Sequence, residues 1–115
     1  MTAAGSRCWT LEAACQLVAD VRRRTAIAVK ESDEIVAERD AMPEDSPARG
    51  EADERIQAVV GLWAREMEAL GLEVKGLWLV DFDNGSGYYC WKWPETELAH
   101  YHGYEEGFDG RTRIQ

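Results

Sequence analysis

The spacing of apolar residues changes once along this 115-residue chain, near Leu72, and that change restricts the folds open to it. Upstream, Leu11, Ala14, Val18, Val21, Thr25 and Ala28 recur at helical steps, and so do Ile56, Val59, Val60, Trp63, Met67 and Leu70. Such spacing lays one apolar stripe along an α-helix. Downstream, the runs Leu77–Phe82 and Tyr88–Trp93 are short, aromatic or β-branched, and bounded by turn formers, as strands are. The chain therefore predicts an α+β fold in which helices come first and strands follow.

Local signals place the ends of the two helices. Thr10 stands where an N-cap is needed, and the first helix is expected to run to about Asp40, roughly 45 Å at about 1.5 Å per residue. Beyond Lys30 it offers little apolar surface except Ile35 and Val36, so this half is expected to project into solvent or pack against another subunit. Met42-Pro43-Glu44-Asp45-Ser46-Pro47 breaks the helix. Ser46 is a cap with Pro47 at the first helical position, and Gly71 closes the second helix. A short link between long helices implies an antiparallel hairpin.

In the second region, Asp83-Asn84-Gly85-Ser86-Gly87 is turn chemistry. With Asn84-Gly85 as a two-residue turn, Trp78 pairs with Trp91 and Val80 with Tyr89. One face then carries Trp78, Val80, Phe82, Tyr89 and Trp91, and the other Leu77, Leu79, Asp81, Tyr88, Cys90 and Lys92. Pro94 ends the second strand, and residues 94–115 are expected to form an ordered loop with one short helical turn. Residues 1–9 read as a lead-in. The expected organisation is a single domain over 1–115, with a helical hairpin over 10–71 and a β-hairpin and tail over 72–115.

Charge narrows the partners. The net charge is −9, and the segment from Glu31 to Glu54 carries ten acids against Arg39 and Arg49. Phosphate backbones demand clustered Lys and Arg, so nucleic acid is not an expected partner. Arg22-Arg23-Arg24 is the one basic run and reads as a solvated helix face. No segment has the ~20 apolar residues of a membrane span, and Met1–Trp9 lacks the apolar core of a secretory signal. Cys8, Cys15 and Cys90 show no Cys-x-x-Cys spacing, and reduced thiols in a cytoplasmic protein are the plain expectation.

The stretch from Trp78 to Arg111 holds both histidines, all four tyrosines and three of the five tryptophans. It contains Leu79-Val80-Asp81-Phe82, Cys90-Trp91, Glu95, Glu97, His102, Gly107-Phe108 and Gly110-Arg111. In these residues the chain resembles a bacterial family, domain of unknown function 2203. That family shows a Gly-Leu-Val-Asp-Phe strand, a Cys-Trp strand, a Gly-Glu-x-Glu segment, a Trp-His pair and a closing Gly-Phe-x-Gly-Arg. The N-terminal half is similar in kind, with Thr-Leu-Glu-Ala at Thr10 and two long helices. Three positions depart: Trp78 and Pro94 stand where the family has glycine, and Tyr101 where it has tryptophan. The turn at Asp83–Gly87 is also shorter. The resemblance implies a fold and a set of residues but no activity.

Two chemistries can be read from this set, each beside a structural alternative. His102, with Glu95 or Glu97 and with Asp81 or Cys90 arriving from the hairpin, offers the nitrogen, oxygen and sulfur donors of a divalent transition metal. Alternatively His102 makes a structural hydrogen bond and the glutamates face water. Asp81, inside an apolar strand, is a ligand or base, or else an ion pair with Arg111, Lys92 or His102. Cys90 is a nucleophile served by His102, or an inert buried thiol. Trp91, Trp93, Tyr101 and Tyr104 line a small-molecule pocket, or form core and subunit interface. Gly107 and Gly110 are turn residues, and Arg111 is a clamp on Asp81 or Glu97. Two helices and two strands cover five tryptophans poorly, so a homo-oligomer is expected. The expected function is a ligand- or protein-binding module that uses its aromatic C-terminal face through Asp81, Cys90, Trp91, Trp93, Tyr101 and Arg111. The alternative is a metal-dependent enzyme built on His102, Glu95, Glu97 and Asp81.

Overall fold

The computed structural model describes residues 8–114, so the first seven residues of the expected lead-in lie outside the described residues. Its last residue, Trp9, belongs to the core instead. Trp9 is buried, its N–H donates to the Asp83 carbonyl (2.7 Å), and its ring meets Phe82 edge-on at 5.4 Å.

Helix α1 spans Leu11–Asp40, and the Thr10 hydroxyl accepts the Ala13 N–H at 3.1 Å. Helix α2 spans Ala48–Ala69. The expected cap shifts by one residue: Pro47 holds the N-cap position and not the first helical one, while the Ser46 hydroxyl before it accepts the Ala48 N–H at 3.3 Å. At the far end Gly71 adopts φ +92°, while the Gly71 and Leu72 N–H groups return to the Glu68 and Met67 carbonyls. This is a Schellman closure, which a left-handed glycine permits without steric cost.

The two helices form an antiparallel hairpin along the long dimension of the molecule, 49 Å in an envelope of 49 × 30 × 26 Å. The outer half of α1 is not bare: Ser32 and Ile35 are buried, and Arg55 of α2 reaches Glu38 at 3.2 Å. Deeper in, the Trp63 indole N–H donates to the Thr25 hydroxyl (2.8 Å), which in turn donates to the Val21 carbonyl (2.7 Å). Thr25 thus serves the apolar stripe as an acceptor for a buried tryptophan, which must find one.

The remainder is a five-stranded antiparallel meander, β1 (Glu73–Gly76), β2 (Leu79–Asp83), β3 (Tyr88–Lys92), β4 (His100–His102) and β5 (Thr112–Arg113), in that order. The β2–β3 hairpin departs from the expected register. Val80 pairs with Trp91 and Phe82 with Tyr89, because the connection is four residues long, not two. Its shape is held by side chains: Asp83 Oδ1 accepts the Gly85 N–H (2.9 Å) and Asn84 Oδ1 the Ser86 N–H (2.8 Å). The slip is by two residues, and the strand repeat is two, so the division into faces survives. Val80, Phe82 and Trp91 face the helices and join Trp63, Met67, Val18 and Val21 in the core. Asp81 and Cys90 lie on the other face. Trp78 is the exception. It leaves the strand at φ +58°, the left-handed region, and packs edge-on against Trp63 at 5.0 Å. The tail expected as loop also supplies β4 and β5, and its helical turn is the single 3₁₀ turn Phe108–Gly110.

Candidate functional site

The outer face of the sheet, away from the helices, collects the chemistry. By register, Asp81 on β2 opposes Cys90 on β3, and β4 brings His100 beside Cys90 and His102 beside Tyr88. The close approach of β4 depends on Gly87: a Cβ there would lie 2.6 Å from the His102 carbonyl oxygen. Asp81, Cys90 and His102 are all buried, and one ligand atom from each lies within 4.8 Å of the others.

Hydrogen bonding fixes one proton of His102. Its Nδ1 is 2.8 Å from the Gly103 carbonyl, which only accepts, so Nδ1 carries a proton and donates it. Nε2 faces Asp81 Oδ2 at 2.9 Å. That second contact also needs a proton, carried either by Nε2 or by the carboxyl. Burial raises the Asp81 carboxyl above its usual range, against the pull of the neighbouring imidazole. The other oxygen, Oδ1, is buried with no hydrogen-bond partner among the described residues. Burial, with the Asp81 carboxylate beside it, pushes the Cys90 thiol up to about 12, while Arg111 draws it down. A thiol in that condition is a poor nucleophile without a cation to stabilise its anion.

The three side chains open onto a cavity of about 240 Å³, whose other walls are Lys75, Leu79, Gly107 and Phe108. A larger groove of about 610 Å³ runs along the helical hairpin past Ile27 and Leu62. No buried unpaired polar atom of the described residues lines that groove, which carries Arg24 and Arg55 against four glutamates, whereas the smaller cavity holds the buried Asp81, Cys90 and His102.

The other anticipated residues are dispersed. Glu95 is not beside His102. It grips Arg111 through two bonds, Nη1–Oε1 at 3.1 Å and Nη2–Oε2 at 2.5 Å, and accepts the Lys92 N–H at 2.8 Å. Burial opposes its charge, but Arg111, the Lys92 N–H and His100 outweigh it and hold the carboxyl below its ordinary value. Arg111 therefore clamps Glu95 rather than Asp81 or Glu97, and its Nη1 also approaches the Cys90 sulfur at 4.0 Å. Glu97 is exposed, 3.6 Å from Arg113. The aromatic residues do not converge on one surface. Trp91 is wholly buried on the helix side, its indole N–H donating to the Glu95 carbonyl at 3.0 Å. Trp93 is partly buried with Arg22 over its ring at 5.1 Å, and Tyr101 is 46% exposed on β4. Lys75, Phe108 and the Gly103 carbonyl escaped the sequence reading. Phe108 is a large apolar side chain between glycine and aspartate in a polar stretch of the tail, a signal of packing, whereas nothing local singles out the exposed Lys75.

The architecture and its cluster define a small α+β protein with a buried Asp–Cys–His centre under a C-terminal flap. The chain belongs to the family described as Uncharacterized conserved protein (DUF2203), whose family model matches residues 7–114. No curated protein and no solved structure matches it significantly. Among the described residues, no helix is long and apolar enough to cross a membrane.

Proposed function

We propose that the protein binds one divalent transition-metal ion, of the zinc class, through Asp81, Cys90 and His102, and handles a small ligand at a fourth, open position. The observation that carries this reading is the orientation of His102. Metal-ligating histidines usually donate the distal ring N–H to a carbonyl or carboxylate, which directs the other nitrogen at the ion. Here Nδ1 donates to Gly103 and Nε2 points at the carboxylate of Asp81. The proton held in the Nε2–Oδ2 contact stands where a cation would sit.

The donor set supports the class of ion. Thiolate, imidazole and carboxylate together suit zinc better than magnesium or calcium, which take oxygen ligands. Zinc–ligand bonds of about 2.0–2.3 Å put tetrahedral ligands about 3.3–3.8 Å apart, so the His102–Asp81 pair, now at 2.9 Å, must open slightly and the wider separations, up to 4.8 Å, must close by about 1 Å. Three protein ligands leave one position free, as in zinc sites that activate water or polarise a bound group. The ligand set differs from the one expected from sequence: Cys90 takes the place given to Glu95 or Glu97.

Elemental analysis of protein purified without a chelating tag tests this. About one zinc per chain is expected, retained by Glu97→Gln and lost in His102→Ala and Cys90→Ser. Metal-free protein that takes up no zinc on direct titration would refute the proposal.

A further inference from the structure

We infer that the open position of this centre receives a small oxygen anion, a short carboxylate or inorganic oxyanion, drawn in and held by Lys75. The inference rests on the metal reading above and adds the class of ligand.

Size comes first. Sites for drug-sized molecules run to about 300–1,000 Å³. The cavity of about 240 Å³ falls below that range and admits a molecule of a few heavy atoms beside the ion.

Charge decides its sign. A divalent ion is balanced by the Cys90 thiolate and the Asp81 carboxylate, with His102 neutral. The residual charge on the cavity wall is then that of Lys75, the one charged lining residue outside the ligand set. Lys75 sits at a backbone irregularity on the cavity wall. The β1–β2 register breaks between Val74 and Gly76, and the Lys75 ammonium lies over the Tyr88 ring at 4.5 Å on the outer face. Bulges commonly re-aim a side chain beside functional sites. Its carboxylate partner, Glu73 at 3.1 Å, does not line the cavity; both side chains of the pair are 38% exposed, so the pair is weak in water, and the ammonium has further hydrogens to offer an anion.

The surroundings strengthen the effect. The rest of the wall includes Leu79 and Phe108, with the Arg111 guanidinium stacked on Phe108 at 4.2 Å. Low-polarity walls around a cation increase its attraction for an anion. The chain as a whole carries −9 and has three lysines, yet two of them, Lys75 and Lys92, flank this face. Lysines on this face, one of them on the cavity wall, favour ligands of negative charge there.

The test uses the full chain loaded with cobalt(II), whose visible bands report coordination. Cobalt binding should produce a thiolate-to-metal band that Cys90→Ser abolishes. Phosphate or acetate, added in separate titrations, should then shift the ligand-field bands saturably, and the tighter of the two identifies the oxyanion or the carboxylate. Lys75→Gln should weaken that anion about tenfold or more, since a charge-assisted hydrogen bond contributes roughly 1.5–3 kcal/mol, without changing cobalt affinity. Lys75→Arg should retain binding. A normal thiolate band with no response to either anion, or equal anion affinity in Lys75→Gln, would overturn the inference and leave the metal reading standing. Failure to take up cobalt would end both.

Discussion

Thr25 and Trp78 show how much a single position carries here. Thr25 interrupts an apolar stripe and is fully buried, yet it satisfies the Trp63 indole across the helix pair. Replacing it with the isosteric valine keeps the volume and strands that N–H. Thr25→Val should therefore cost about 1–3 kcal/mol in chemical denaturation. Trp78 occupies a left-handed backbone position, φ +58°, which favours glycine. A bulky residue there accepts backbone strain on the order of 1–2 kcal/mol, offset by its packing on Trp63. Removing the ring exposes that trade. Both Trp78→Ala and Trp78→Gly should destabilise the fold, but the glycine variant should be the more stable by about 1 kcal/mol. Equal stabilities in urea titrations would show that the position is not strained.

At the level of elements, legibility followed signal strength. Thr10, Ser46 and Gly71 marked helix ends because capping is local chemistry between neighbours in sequence. The hairpin register was missed by two residues because Asp83 and Asn84 each fold a side chain onto the turn backbone, lengthening the loop beyond what Asn-Gly alone indicates. Strands β1, β4 and β5 were illegible for a different reason: they are two to four residues long, too short for alternation to register. That blind spot decided the site. With β4 unseen, the sequence sets Glu95 or Glu97 beside His102 together with Asp81 or Cys90, and only the second pairing has the register behind it. The strand carries His102 across the sheet to Asp81 and Cys90, while Glu95 turns to Arg111. Asp81 itself was legible, since a carboxylate inside an apolar strand must find a partner. The glycine that admits β4 gives a test at this scale. Gly87→Ala forces a Cβ onto the His102 carbonyl and should displace His102, lowering zinc affinity at least about tenfold while α1 and α2 keep their helical signal.

On the scale of the whole molecule, helices and sheet share one core, and Trp9 is part of it. Its backbone bonds to the end of β2, its ring packs on Phe82, and its indole N–H reaches the Gly71 carbonyl at 3.4 Å, so it touches the start of α1, the end of α2 and the sheet at once. Trp9→Ala should cost about 3 kcal/mol or more. Far-ultraviolet circular dichroism and tryptophan fluorescence should still report one shared transition at the lower midpoint. Separate transitions would show that the helical pair and the sheet unfold independently.

The sheet's margins have a further consequence. One border, β5, is only Thr112–Arg113, and the other, β1, is broken by an irregularity after Val74. A neighbouring chain seeking to extend the ribbon meets two residues on one side and a kinked template on the other. Fibril growth by edge addition is thereby discouraged, although aromatic side chains are dense in the C-terminal region.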